Sequence, residues 1–455
     1  MPAGQMSESR VPLPHFSTAA QLAVSALWFA WFGQWFTIPT TLVQTQIAAI
    51  LGVHNPILDQ TVGLVLAAGA TMALIIPPLA GALSDRSQAR RGRRRPFLIA
   101  GVLGSSAALA ILGLFGNPPG PGGNLLLYGL AYVHLQFWWN WAAGPYAGLI
   151  PDVVPDDSKG MASGWMNVLG ILGVIAANLL MMLLYHPGHA TLVIAVFIAI
   201  NLLCLAITLI GVREPPPQPA EQQSVRSFLR GFWLPPTAHP NFYLVLATRL
   251  FSNLGIWSVF GFLVLYMQSV FGLTEDAANG LFYKLIAVGA FLGLPASLIG
   301  IKLAARYGLV PVVQVTSWVM AAATFCYVLI AMAPAVLLVI PAIIVFSIAN
   351  GAYGATDWLL ALRVLPSGPD AGKDFGIWHV SMVLPQIIGP FTMGFLISSL
   401  KISVSGPFAY MVAFAIATFW FVLAAAFVGR IRLSDEAGAE FNSRPGPAAG
   451  EPAVR

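Results

Sequence analysis

The sequence predicts an all-α membrane protein: twelve transmembrane helices in two pseudo-symmetric six-helix halves. Three observations predict it. The chain is 58% hydrophobic and only 9% charged, where a soluble domain carries about 25% charge. Residues 84–97 read SDRSQARRGRRRPF, placing Asp85 and the arginines Arg86, Arg90, Arg91, Arg93, Arg94 and Arg95 between two long apolar runs. Short Lys/Arg-rich loops stay on the cytoplasmic side, so this loop marks the inner face. Its apolar flanks argue against a nucleic-acid patch or a targeting signal. Third, the Pro- and Gln-rich stretch 213–240 divides the apolar runs six and six.

A spanning helix needs about 20 mostly apolar residues. The first run meeting that need is 18–43, rich in indoles and amides, with Pro39 as its expected kink. The second, 60–83, leads into the arginine loop, and the third, 96–116, leaves it at Pro96. The glycine-rich GNPPGPGGN (116–124) is an outer turn and not a phosphate loop, because no strand precedes it and no helix-start Lys follows. Next come 125–150, 160–184 and 190–212, which complete an N-terminal half over 18–212. Residues 213–240 are the expected cytoplasmic linker. Runs 241–268, 277–301, 309–333, 335–361, 375–400 and 405–428 make a C-terminal half over 241–428. The tails, 1–17 and 429–455, are polar and expected in the cytoplasm, the second disordered. No apolar core with a cleavage site opens the chain, so no cleaved signal peptide is expected. Of the 22 Lys and Arg, all but Lys401, Arg249 and Lys284 then fall on the inner side, with Lys401 in an outer loop. That asymmetry predicts a multi-pass cell-membrane protein, in a bacterial inner membrane, with both termini inside.

The halves echo each other. Trp31 and Trp257 follow similar Pro-x-Phe stretches, and Asp152-Val-Val-Pro155 is matched by Arg363-Val-Leu-Pro366. KLAARYG (302–308) aligns with 82–88, with Ala305 in place of Asp85. Such repeats place a binding site near the midplane between halves. Cys204 and Cys326 lie in apolar runs and read as packing residues without a disulfide.

Gly81-x-x-x-Asp85-Arg86 followed by Gly92-Arg93-Arg94-Arg95 resembles the loop signature of the major facilitator superfamily, with four extra residues before the glycine. The longer form S-D-R-x-x-x-R-x-G-R-R-R-P-F, together with GPYAGLIPDVVP (144–155), is similar to the sucrose-transporter and glycoside–pentoside–hexuronide branch. The chain departs from that branch's plant sucrose carriers at Ala147, where they have Arg. It departs from the sodium-coupled melibiose carriers in having no acid within 62–83. The resemblance implies the major facilitator fold, alternating access, and a cytoplasmic gate in which Asp85 holds the second helix against the eleventh. Physically, Asp85 would meet the positive helix N-terminus near Lys373–Phe375. Arg86, Gly92, Arg93 and Arg94 belong to the same gate, and Asp152 is expected to pair with one of the arginines.

Polar residues within the spans are the candidate site. Trp31 and Gln34 on the first helix, and Asn253 and Trp257 on the seventh, pair an amide with an indole. Sugars offer hydroxyls to the one and an apolar ring face to the other. Asn140 on the fourth helix and Asn167 on the fifth are expected in the same pocket, Asn167 sharing a face with Asn178. Lys284 stands out as a formal charge near the middle of a helix, and such a residue is a functional candidate by default. Asn350, Tyr353 and Asp357 form a polar stripe at i, i+3 and i+7 on the tenth helix. Arg249, Asp357 and His379 are expected near one another at the inner end of the second half. Asp357 and His134 are the proton-coupling candidates.

The expected function is secondary active transport of a small organic solute, a sugar or glycoside, by alternating access in symport with protons. The alternative is an exporter of amphipathic compounds in the same fold. Zinc spacing and a nucleophile elbow are absent from the sequence, so neither enzyme chemistry nor a cofactor or metal is expected. Expected partners are the substrate, a co-transported proton and the lipid bilayer, with no nucleic acid and a monomeric chain.

Overall fold

The computed structural model describes residues 17–116, 124–155, 158–186, 189–214, 239–364 and 371–433, with the backbone alone described along 371–378. Most of the 213–240 linker, both tails and the tip of the 116–124 turn lie outside the described residues. Every regular element among the described residues is helical.

Among the described residues, twelve membrane-length segments follow in order. α1 is a rod of three joined pieces, Thr18–Thr37, a π-helix Ile38–Leu42 and Val43–Leu51. Then come α2 (Leu58–Asp85), α3 (Arg95–Gly116), α4 (Leu125–Ala147), α5 (Lys159–Leu184) and α6 (Thr191–Gly211). The second half has α7 (Pro240–Phe260, resuming as Leu263–Phe271), α8 (Glu275–Tyr307), α9 (Leu309–Met332), α10 (Val339–Val364), α11 (Ala371–Lys401) and α12 (Gly406–Val428). Ten of the helices are long and apolar enough to cross a membrane. The other two, α1 and α4, fall short in hydropathy because they carry the indoles, phenols and amides of the candidate site.

Pro39 explains the π segment. It cannot donate to the helix ladder, and the two threonine hydroxyls that follow it bond back to carbonyls of the preceding turn. Thr40 Oγ1 donates to Phe36 O at 2.7 Å and Thr41 Oγ1 to Thr37 O at 2.6 Å. α8 runs six residues beyond the expected 277–301, α1 extends to Leu51, and α2 takes in both Asp59 and Asp85.

Helices pack within two groups, α1 on α5 and α6 and α2 and α3 on α4, then α8 and α9 on α10 and α7 on α12. The groups meet along α2–α11 and α5–α8. Without a hydrophobic drive between helices in lipid, small residues let backbones approach. Gly33 faces Gly173 between α1 and α5, and Gly293 faces Gly351 between α8 and α10. Gly63 and Gly394 do the same across the halves, against the backbones of Pro390 and Asp59. The end carrying the arginine loop is called inner below, and the opposite end outer.

Candidate functional site

Among the described residues, the halves meet at mid-depth and at the outer end. Trp35 lies midway along α1 and its indole meets that of Trp257, midway along α7, edge-on at 5.6 Å. One step out, Phe36 packs edge-on to Phe260 at 5.6 Å, and Gln44 Nε2 donates to Phe260 O at 3.2 Å. At the outer end one contact is ionic. Lys401 Nζ is 2.5 Å from Asp59 Oδ2, and Tyr410 Oη donates to Asp59 Oδ1 at 2.5 Å. Local structure dictates the pairing: Asp59 sits in the first turn of α2 and Lys401 in the last turn of α11, where the two helix dipoles favour those charges. Asp59 is fully buried, and the neighbouring Gln60 N donates to Ser398 Oγ at 2.9 Å. This lock escapes the sequence reading, which leaves Asp59 outside the second span and reads Lys401 as a loop charge. The legible signal was an acid in a first helical turn and a lone outer cation.

On the inner face, Asp152 Oδ1 is 2.7 Å from Arg93 Nη2, and Asp152 Oδ2 is 2.9 Å from Arg94 Nε. The hydrogen bond to Asp152 holds the Arg93 proton more firmly than usual. Asp85 Oδ1 is 2.7 Å from Arg94 Nη2, an arginine of its own loop. The side chains near Lys373–Phe375 lie outside the described residues, and Arg86 is exposed. Gly92 adopts φ +120°, a conformation an L side chain rarely takes, and the Glu214 carboxylate fills the space a Cβ would need. Glu214 Oε2 accepts from Arg94 N at 2.8 Å, and burial pushes its carboxyl above the usual range. The sequence reading passed over Glu214 as part of the linker. Each of these contacts lies within the N-terminal half or joins it to the start of the linker.

The second half holds a buried charge pair. Arg249 Nη1 is 2.6 Å from Asp357 Oδ2, and Tyr353 Oη donates to Asp357 Oδ1 at 3.3 Å. Asp357 is 1% exposed. Arg249 lies nine residues into α7, so Lys284 is not alone as a charge within a helix. Asn253 Nδ2 donates to Arg249 O at 2.9 Å, one turn below Trp257. His379, on α11, lies within electrostatic reach of Arg249 and meets the backbone of Ala73 across the halves. Asn350 is half-buried two turns above Asp357.

In the first half the candidates divide. Trp31 is buried between Trp28 and Tyr146, with ring centroids at 6.2 and 5.1 Å. The indole nitrogens of Trp28 and Trp31 have no hydrogen-bond partner. Trp28, Phe32 and Trp35 are partly exposed along one lane of α1. Gln34 is placed elsewhere: its amide exchanges hydrogen bonds with Asn201 at 2.9 and 3.1 Å, clamping α1 to α6. Asn140 Nδ2 donates to Gln136 O at 2.8 Å, and both lie on α4. Asn178 is buried against Thr37 at 3.1 Å, whereas Asn167, on the same face, is exposed with Gly160, Ser163 and Gly164. His134 is exposed on α4 beside Leu127 and Leu130, accepting from Trp138 Nε1 at 2.9 Å. Lys284 is exposed with Val288, Phe291 and Leu298, on the face of α8 opposite the glycines that pack on α10. The structure therefore sets His134 and Lys284 on apolar outward lanes and does not bring them to Asp357. Helical spacing fixes which residues share a face but not what that face meets.

Cys204 is buried, Cys326 is exposed, and both are free thiols. No group of three or more His, Cys, Asp or Glu that could hold a metal is found among the described residues.

Comparisons with known proteins agree with this architecture. Residues 22–369 match the family model described as Major Facilitator Superfamily. A sucrose transport protein, SUC4 of Arabidopsis thaliana, is 28% identical over 119 residues, a match that spans 23% of this chain and 23% of that protein. Among solved structures, a bacterial homologue of the human lysosomal transporter Spinster is similar with TM-score 0.65 and 16% identity, over 96% of this chain and 100% of that one. An autoinhibited peptide transporter of the POT family matches with TM-score 0.69 and 14% identity, over 94% and 98% of the two chains. The nucleoside transporter NupG matches with TM-score 0.67 and 14% identity, over 91% and 99%.

Proposed function

The chain belongs to the Major Facilitator Superfamily, a transporter and not an enzyme, and on that premise we propose that it is a proton-coupled symporter of a sugar or glycoside. One observation carries the reading. Asp357 is a buried carboxylate whose charge is balanced by Arg249 at 2.6 Å. Removing one partner of such a pair leaves an uncompensated buried charge, at a cost of about 3–5 kcal/mol. Protonation of Asp357 neutralises it and frees Arg249, so proton binding and rearrangement of α7 against α10 are one event. Tyr353 shares Asp357, and Asn350 stands two turns above it on the same helix. Substrate binding on this stripe is therefore linked to the same proton.

The substrate lies beneath the Trp35–Trp257 contact in this reading, between Trp28, Trp31 and Asn140 on one side and Asn253, Asn350 and Tyr353 on the other. Buried indole N–H groups without partners suit a ligand bearing hydroxyl acceptors. The short match to a sucrose transport protein supports the same class. Asn167 lines the inward approach, while Arg93, Arg94, Asp85 and Asp152 form the inner gate. Both termini face the cytoplasm in this reading, which the Lys/Arg partition supports. The test is uptake and counterflow in proteoliposomes. A pH gradient, acidic on the side of entry, drives accumulation of a glycoside in the native protein. Asp357→Asn abolishes accumulation and keeps exchange. Accumulation by Asp357→Asn overturns the proton assignment, and efflux of amphipathic cations without sugar uptake overturns the substrate class.

A further inference from the structure

A second polar cluster lies at the outer end, away from Asp357. Glu275, Asn279 and Tyr283 follow at i, i+4 and i+8 on α8, so they share one face. Thr41 and Thr45 stand one turn apart on α1, with the Tyr283 side chain against Thr41. Tyr185, just past the end of α5, joins the two sides: its hydroxyl lies 2.8 Å from Thr45 Oγ1 and 3.3 Å from Glu275 Oε1. Asn279 is 3% exposed, and both its amide oxygen and its amide nitrogen lack a partner. The Tyr283 hydroxyl is likewise without a well-formed hydrogen bond. Buried amides are ordinarily satisfied, so a group bonded at neither end points to a ligand.

The charge balance says which ligand. Glu275 has no Lys, Arg or His partner among the described residues, and Asp276 beside it adds negative charge. The nearest cation on the same helix, Lys284, is nine residues on, about 180° around the axis. One carboxylate beside a phenol, sharing its helix face with an amide and a second phenol and facing two threonines across the halves, balances a single positive charge. A divalent ion such as Ca²⁺ takes more carboxylates, and soft metals take sulfur or imidazole, which the cluster lacks.

We propose that Glu275, Asn279, Thr41, Thr45 and Tyr185 form a binding site for a dehydrated monovalent alkali cation. Its ligands come from both halves, α1 and α5 on one side and α8 on the other. The ion therefore binds only the conformation with the outer end closed and stabilises it by differential affinity. It acts alongside the Asp59–Lys401 lock, as a second cross-half tie whose strength depends on the ion.

The experiment is thermal unfolding of the purified full-length protein in NaCl, KCl and choline chloride at matched ionic strength, without substrate or pH gradient. A saturable rise of about 2 °C or more with Na⁺ or K⁺ over choline is expected. Glu275→Gln removes it. Asn279→Asp, which adds a second carboxylate and keeps the side-chain shape, lowers the salt concentration at half-saturation. Equal melting temperatures in all three salts overturn the site, as does an undiminished rise in Glu275→Gln. Should Glu275→Gln not fold, an unchanged half-saturation in Asn279→Asp overturns it. The readout is independent of Asp357 and of substrate, so failure here leaves the transport reading to its own test.

Discussion

Replacing Lys401 by Met removes the cation from the ionic cross-half contact at the outer end while keeping most of the side-chain volume. In the closed state Asp59 is fully buried and would be left with the Tyr410 hydroxyl as its remaining side-chain partner. In a state with the outer end open, water would solvate it. Leaving a buried carboxylate without its cation costs about 3–5 kcal/mol, and each 1.4 kcal/mol is tenfold in an equilibrium. The balance between closed and open outer ends therefore moves towards open by about 100-fold or more. Asp59→Asn in the same background removes the stranded charge and restores much of the closed population, because a neutral amide keeps hydrogen bonds to Tyr410 and loses only the ion pair. The assay is a pulsed electron–electron distance between spin labels at Ile57 and Ile402, both exposed and each just beyond an end of the lock. Native protein gives one short distance. Lys401→Met gives a second, longer population, and the Asp59→Asn, Lys401→Met double variant reverts towards the short one. An unchanged distribution in Lys401→Met refutes the assignment of this pair as an outer lock.

Other expectations follow from named contacts. Gly394→Val sets a side chain against the Asp59 backbone, so it prevents outer closure and lowers uptake while surface expression holds; native uptake in this variant would show that α2 and α11 need not meet so closely. Gln34→Leu strands Asn201 and lowers stability by about 1–3 kcal/mol, read as melting temperature, with KM unchanged. A raised KM would place Gln34 in the pocket after all. Glu214 has its folded pKa raised by burial, so it holds its proton more tightly folded than unfolded, and stability falls as pH rises from the unfolded value through the folded one. Glu214→Gln lacks that component, and its melting temperature changes less between pH 4 and 7 than the native one, a difference differential scanning calorimetry reads directly. Asn350→Ala weakens substrate binding itself in equilibrium titration, unlike Asp357→Asn, which leaves exchange intact.

Much of the architecture is legible along the chain. Apolar runs of spanning length and the inward bias of Arg and Lys are local properties, read without knowing any contact, and so they yield the all-helical membrane fold and its order of elements. The Pro39 irregularity is legible for the same reason, since a missing N–H acts on its own helix. The polar stripe Asn350, Tyr353 and Asp357 is set by the 3.6-residue period, since all three lie on one helix, α10. What the period cannot say is what a face meets. Gln34 and Trp31 are three residues apart, yet one amide is spent on Asn201, 167 positions away, and the neighbouring indole is left without a partner. His134 and Lys284 are polar groups within long helices, and only packing shows their faces turned outward among leucine, valine and phenylalanine. Asp59 and Lys401 are separated by 342 residues and look like loop charges singly. The crossing of α2 with α11 brings them within 2.5 Å. The sequence by itself determined the helices, their membrane and the resemblance to a transporter family, because those depend on composition and short-range spacing. Which amides clamp helices, which remain for a ligand, and which charges tie the halves together were decided by the tertiary structure, because each depends on a partner far away in the chain.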